Sequence, residues 1–207
     1  NVAQYTIEKL LELGAKPLTC SDSDGYIYDP AGIDEEKLAY IMELKNIERG
    51  RIREYAEKYN VKYVPGGRPW SEKADIATPC ATQNEINEDD AKSLVASGVK
   101  YVFEAANMPT TPEGVDYFLS QKIILGPAKA CNAGGVAVSA LEMSQNSMRY
   151  NWTEEEVDAK LQQIMKDIVA SSVAAAKKYG LGYDLIKGGN IAGFEKVAAA
   201  MIAQGLY

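Results

Sequence analysis

The chain has 207 residues, with 22 Lys and Arg against 29 Asp and Glu, a net charge of −7 and no histidine. Missing histidine excludes Ser-His-Asp and Cys-His nucleophilic machinery, His-ligated zinc and imidazole pH switches, while the acidic balance argues against binding nucleic acid or an anionic membrane. The 46% apolar content suffices for a core, no apolar run approaches the ~20 residues of a membrane helix, and three scattered cysteines (Cys20, Cys80, Cys131) suit reduced thiols in a cytoplasmic protein.

Val2, Thr6, Leu10 and Leu13 recur at helical spacing, so a helix is expected over 2–13, stopped at Gly14. Residues 16–20 are short and apolar enough for a buried strand, and 21–25 read as a turn. After a small excursion over 26–30, Asp34 is expected to cap a helix reaching Leu44, and a second, charged helix to run over 47–59. The next expected strands are 61–65 and 75–78, separated by the Gly66-Gly67-Arg68-Pro69 loop. A helix over 87–97, a strand over 99–104, a helix from Pro112 to about Ser120 and a strand over 123–125 follow. From Gly134 onward every signal is helical. Thr153 with Glu156 forms a capping box, Val157, Leu161, Ile164 and Ile168 share a face, and Ile191, Phe194, Val197 and Met201 repeat the pattern. Tyr5, Trp70 and Trp152 are expected in core or interface positions.

Strands alternating with helices indicate an α/β chain: a Rossmann-like, doubly wound parallel sheet followed by a helical tail. No repeat, low-complexity stretch or linker divides it, so 1–207 is expected to be one domain, with a nucleotide-binding core over 1–132 and the tail over 133–207.

Asn1-Val2-Ala3 has the form of the last three positions of a G-x-G-x-x-A dinucleotide turn. Asp22 follows about 20 residues later, where an acid would face a ribose. The leading glycines and the first strand of such a unit are missing, and that strand is central in the order 3-2-1-4-5-6. The chain is therefore expected to be a piece of a longer polypeptide whose sheet is open at this place.

Further segments are distinctive. They are Ser21-Asp22-Ser23-Asp24-Gly25-Tyr26, Pro79-Cys80-Ala81-Thr82-Gln83-Asn84-Glu85, Ala105-Ala106-Asn107-Met108-Pro109-Thr110-Thr111, Asn132-Ala133-Gly134-Gly135-Val136, Leu141-Glu142-Met143-Ser144-Gln145-Asn146 and Asn190-Ile191-Ala192-Gly193-Phe194. In order, and over essentially the whole chain, they resemble the coenzyme-binding domain of the hexameric glutamate dehydrogenases, within the Glu/Leu/Phe/Val dehydrogenase family, of the NADP-specific bacterial type.

The resemblance implies roles. Asn1 and Val2 would turn backbone amides toward a coenzyme pyrophosphate, as helix N-termini do, although an ordinary helix start explains them too. Asp22 and Ser23 would lie at the adenine ribose. An acid there favours the 2′-hydroxyl of NAD, whereas Lys45, with Arg49, Arg51 and Arg53 beyond it, suits a 2′-phosphate. Glu48 departs from relatives with a second basic residue, and a solvated charged helix is the competing explanation of the run. NADP is the expected coenzyme, with NAD as the alternative. Ala81, Thr82, Gln83, Ala106, Asn107 and Asn132 would contact the nicotinamide half, where turns at strand ends also use Asn and Thr for their own stability. Val136 and Ser139, three apart on one helix face, would line the pocket of the substrate side chain, with Ser139 on the γ-carboxylate.

The implied reaction is reversible oxidative deamination of L-glutamate to 2-oxoglutarate and ammonia in a cytoplasmic homo-hexamer. In that family a lysine and an aspartate of another domain do the acid/base work. No catalytic residue and no metal ligand is assigned here, and the fragment alone is expected to be inactive. The alternatives are a related amino-acid dehydrogenase with another substrate and a non-catalytic nucleotide-binding or assembly module.

Overall fold

In a computed structural model that describes residues 1–205, helix α1 (Val2–Glu12) leads into strands β1 (Thr19–Asp22) and β2 (Gly25–Tyr28). Only two residues, Ser23 and Asp24, join these strands, and Asp22 Oδ1 accepts from the Asp24 amide at 2.9 Å, closing an Asx turn. So tight a connection reverses the chain, and β1 pairs with β2 antiparallel. Strand β3 (Lys62–Pro65) pairs with the other edge of β2, also antiparallel. The crossing is close at Gly25, where any Cβ would strike the Val64 carbonyl. The expected turn over 21–25 thus lies within a hairpin, and the excursion over 26–30 contains its second strand.

Between β2 and β3 run α2 (Glu35–Asn46), whose N-cap Asp34 accepts from the Lys37 amide, and α3 (Arg53–Tyr59). The expected helix over 47–59 forms only in its second half. Arg49 has a left-handed φ of 58°, the Gly50 amide turns back to Leu44, and the Ile52 amide is drawn to Asp22. Ile7, Ile27, Ile33, Leu38, Ile41, Ile52 and Tyr55 form the core of this layer.

The second sheet is parallel, as the alternation of strands and helices indicates. Strands β4 (Ile76–Ala77), β5 (Tyr101–Phe103) and β6 (Ile124–Gly126) lie in the order β4-β5-β6. Helices α4 (Glu88–Ser97) and α5 (Pro112–Ser120) connect them. The former starts with an Asn87–Asp90 capping box, the latter with Pro112 in its first turn and Thr111 as cap. Trp70, Ile86, Leu94, Val102, Phe118 and Leu125 make its core. Among the described residues the two sheets share no strand pairing.

The rest is helical: α6 (Ala128–Cys131), α7 (Ala133–Met148), α8 (Glu154–Lys178) and α9 (Leu185–Gln204). The Thr153–Glu156 capping box opens α8, and Val157, Leu161, Ile164 and Ile168 are half-buried. Helices α8 and α9 meet through small groups at Ser172, Ala176 and Gly188. This contact leaves Phe194, Val197 and Met201 exposed, and no residue of α7 is buried. On α1 the inward face is Gln4 and Ile7, with Leu11 packed beside them, rather than the expected Val2, Thr6, Leu10 and Leu13, because α1 docks onto α2 through a reciprocal Gln4–Asn46 amide pair. Trp70 is buried, whereas Tyr5 is exposed. Among the described residues no helix is long and apolar enough to cross a membrane.

Candidate functional site

The loops that follow β4 and β5 carry five of the residues singled out in the sequence, Ala81, Thr82, Gln83, Ala106 and Asn107. Beyond β4, Pro79 offers its carbonyl to the Ala105 and Ala106 amides at 3.1 and 3.0 Å, so this exit is tied to that of β5. The tie continues as Asn84 and Ile86 donate to Met108 and Pro109, and Thr111 donates to Ile86. Ala81, Thr82 and Gln83 form the exposed crest of the first loop. Its shape depends on Glu85, whose carboxylate accepts the Ala81 amide at 3.0 Å. Burial pushes the Glu85 carboxyl up, while the Ala81 and Thr82 amides oppose that shift.

Ala106 is buried and Asn107 is exposed beside it. The Asn132 amide, at the junction of α6 and α7, donates to the Ala106 carbonyl at 3.4 Å. Val136 and Ser139 follow on the exposed surface of α7, and Val136 is 71% accessible. The start of α1 approaches the same rim, since Thr6 Oγ1 lies 3.7 Å from Cys80 Sγ. Asn1 makes no side-chain cap, leaving the first amides of α1 without a side-chain acceptor.

At the β1–β2 turn the charges converge. Asp22 Oδ2 accepts from Lys45 Nζ at 2.7 Å and from the Ile52 amide at 3.0 Å, and Lys45 also donates to the Gly50 carbonyl at 2.9 Å. Burial alone would raise the Asp22 carboxyl, but Lys45 and the Ile52 and Asp24 amides outweigh it and hold it below the usual range. Arg51 Nη1 donates to Ser23 Oγ at 2.8 Å, and Arg53 lies 3.5 Å from Asp24. Asp22, Ser23 and Lys45 are therefore one cluster.

Arg51 belongs to that cluster as closely as Lys45 does. In the sequence it is one charge in a run, and its tie to Ser23 exists only because 47–52 is a turn instead of a helix. Glu104 was not legible as part of the region either. It follows β5, is 5% exposed and accepts the Ala128 amide at 2.8 Å. Its signal was a carboxylate directly before Ala105-Ala106-Asn107.

The cysteines are poorly suited to nucleophilic work. Burial pushes Cys20 and Cys131 up to about 11 and raises Cys80 as well. Among the described residues, no group of three or more His, Cys, Asp or Glu could hold a metal ion.

Known proteins share this arrangement along its length. An NAD(P)-specific glutamate dehydrogenase of Xylanibacter ruminicola is 67% identical over 211 residues, covering 100% of this chain and 47% of that protein. An NADP-specific glutamate dehydrogenase of Haemophilus influenzae is 54% identical over 212 residues, covering 100% of this chain and 46% of its own. A solved glutamate dehydrogenase structure superposes with a TM-score of 0.93 at 53% identity, covering 99% of this chain and 46% of that one. The chain thus spans about half the length of the curated relatives it matches. The family model described as Glutamate/Leucine/Phenylalanine/Valine dehydrogenase matches residues 1–205, and the chain, with its parallel-stranded α/β fold, belongs to that family.

Proposed function

We propose that this chain is the coenzyme-binding portion of a glutamate dehydrogenase, which converts L-glutamate reversibly to 2-oxoglutarate and ammonia with NADP, or alternatively NAD, as hydride carrier. Similarity to an NAD(P)-specific and an NADP-specific enzyme supports the coenzyme class. The observation that carries the reading is the convergence of the β4 and β5 exit loops onto one another and onto Asn132. Open parallel sheets hold their ligands at the carboxyl ends of strands.

The residues present fit a dinucleotide. The opening amides of α1, from Asn1 and Val2 onward, supply an uncapped positive helix end for a pyrophosphate. Asp22, Ser23, Lys45 and Arg51 offer both an acid and two cations to an adenine ribose. Ala81, Thr82, Gln83, Ala106, Asn107 and Asn132 orient the nicotinamide half, and the nicotinamide supplies the hydride chemistry once bound. Val136 and Ser139 face the substrate, with the Ser139 hydroxyl as donor to the γ-carboxylate. In this reading 1–132 is the nucleotide-binding core and 133–207 the helical tail of one domain, and the enzyme is a cytoplasmic homo-hexamer.

The test is glutamate-dependent NADP reduction by the full-length polypeptide, followed by absorbance. Ser139→Leu should lower kcat/KM for glutamate by about tenfold or more, the effect of leaving a substrate polar group unpaired. Absence of glutamate-dependent reduction in the parent protein overturns the reading.

A further inference from the structure

Glu104 is a buried carboxylate without a cationic partner among the described residues. Among the described residues its side chain accepts from one neutral group, the Ala128 amide at 2.8 Å. Desolvating a carboxylate for one neutral bond is unfavourable as core packing alone. The location of the bond gives it a purpose. Ala128 begins α6, and the same short helix ends at Asn132, which donates its backbone amide to the Ala128 carbonyl at 2.9 Å and its side-chain amide to the Ala106 carbonyl at 3.4 Å. Glu104 and Asn132 therefore fasten the two ends of α6 to positions 104 and 106 of the β5 exit. The space between is filled: a Cβ on Gly126 would come within 2.7 Å of both Cys131 Sγ and the Phe103 ring. Helix α6 thus packs closely against Gly126 beside the Phe103 ring, and those two hydrogen bonds tie it to the β5 exit.

We infer that Glu104 is a positioning residue whose carboxylate fixes α6 so that Asn132 presents its amide to the nicotinamide half of the coenzyme. The inference rests on the reading of Asn132 as a coenzyme contact. Glu104 itself touches neither coenzyme nor substrate and acts through the Ala128 amide. A displacement of Asn132 by a fraction of an ångström to an ångström affects reaction geometry strongly while leaving binding of the adenosine half untouched.

The experiment uses the full-length polypeptide and four variants: Glu104→Ala, Glu104→Gln, Asn132→Ala and the double Glu104→Ala/Asn132→Ala. Steady-state kcat is compared with the Kd of adenosine 2′,5′-bisphosphate, a probe without nicotinamide. Glu104→Ala should lower kcat by about tenfold or more at unchanged probe affinity, and Glu104→Gln, which keeps an acceptor for the Ala128 amide, should recover most of it. The double variant should be no slower than the slower single one, because both changes remove the same placement. Unchanged kcat in Glu104→Ala, a parallel loss of probe binding, an unrescued Glu104→Gln or additive effects in the double variant overturn the inference. If Glu104→Ala does not fold, Glu104→Asp decides: lower kcat at unchanged probe affinity supports the role, and unchanged kcat refutes it. Unaltered kcat in Asn132→Ala defeats the underlying reading, whereas a loss there without one in Glu104→Ala defeats only the positioning role.

Discussion

Lys45 and Asp22 are joined by a 2.7 Å ion pair that links the C-terminal turn of α2 to the end of β1. The pairing alters the weight of each cation near Ser23. Lys45 is already partly neutralised by Asp22 and donates a second hydrogen bond to Gly50, whereas Arg51 is exposed and bound to the neutral Ser23 hydroxyl. Arg51→Ala is expected to weaken NADP binding by about tenfold or more, the value of one charge-assisted hydrogen bond, with little change for NAD. Lys45→Ala should also weaken NADP, and in addition leaves the Asp22 carboxylate free to repel a 2′-phosphate. Titration of both coenzymes against the full-length protein checks this. Equal affinities, unmoved by either substitution, sink the 2′-phosphate assignment.

A second ion pair sets the response to acid. Asp29 is 1% exposed and accepts from Lys37 at 2.7 Å, Tyr55 Oη at 2.8 Å and the Ala31 amide at 3.0 Å. Burial opposes ionisation, but Lys37 and Tyr55 outweigh it, so the Asp29 carboxyl, like that of Asp22, lies below its ordinary value. A carboxyl lowered by folding contributes stability above its unfolded pKa and loses it as pH falls through the folded one. The urea midpoint should therefore hold steady above about pH 5 and drop below about pH 4. Asp29→Ala should cost about 3–5 kcal/mol at neutral pH by leaving Lys37 unpaired, and should flatten the acid limb. A midpoint unchanged down to about pH 2 contradicts the assignment.

The α8–α9 contact depends on an absent side chain. A Cβ at Gly188 would run into the Ser172 carbonyl, a backbone atom that no rotamer change can remove. Gly188→Ala is expected to destabilise the protein by about 1–3 kcal/mol despite the better helix propensity of alanine. Gly193→Ala, on the same helix with open space around it, should be neutral or slightly stabilising. Thermal melts of the two variants provide the comparison, and equal melting temperatures contradict the close crossing.

The thiols should be unreactive in the folded protein. With Cys20 and Cys131 raised to about 11 and Cys80 raised too, the thiolate fraction near pH 8 is small. A disulfide reagent should label the native protein slowly and all three cysteines rapidly in denaturant. Fast stoichiometric labelling of a native thiol argues against this environment.

The local signals were readable wherever a chemical group acts on its own neighbours. Asp34 and Thr153 cap the helices they precede as the sequence indicates, because a cap is a bond between residues three apart, whereas the caps at Asn87 and Thr111 emerged only in the structure. Periodicity also located β5, β6 and the half-buried face of α8. It misplaced the inward face of α1, since Gln4 is buried by an amide partner 42 residues away that no hydropathy pattern records. Likewise, the expected helix over 47–59 is interrupted at Gly50, a weak helix former, and the turn over 47–52 is held by Asp22, which accepts the Ile52 amide across 30 residues.

Sequence by itself determined the family motifs, the alternation of strands and helices through β4 to β6, the caps at Asp34 and Thr153 and the residue types available to a dinucleotide. Tertiary structure decided the antiparallel direction of β1 to β3, the pairing of Asp22 with Lys45 and of Ser23 with Arg51, and the fastening of α6 by Glu104 and Asn132. The division has a physical basis. Caps and turns are short-range bonds whose partners are neighbours in the chain, whereas a buried carboxylate is satisfied by whichever donor the packed fold delivers to it.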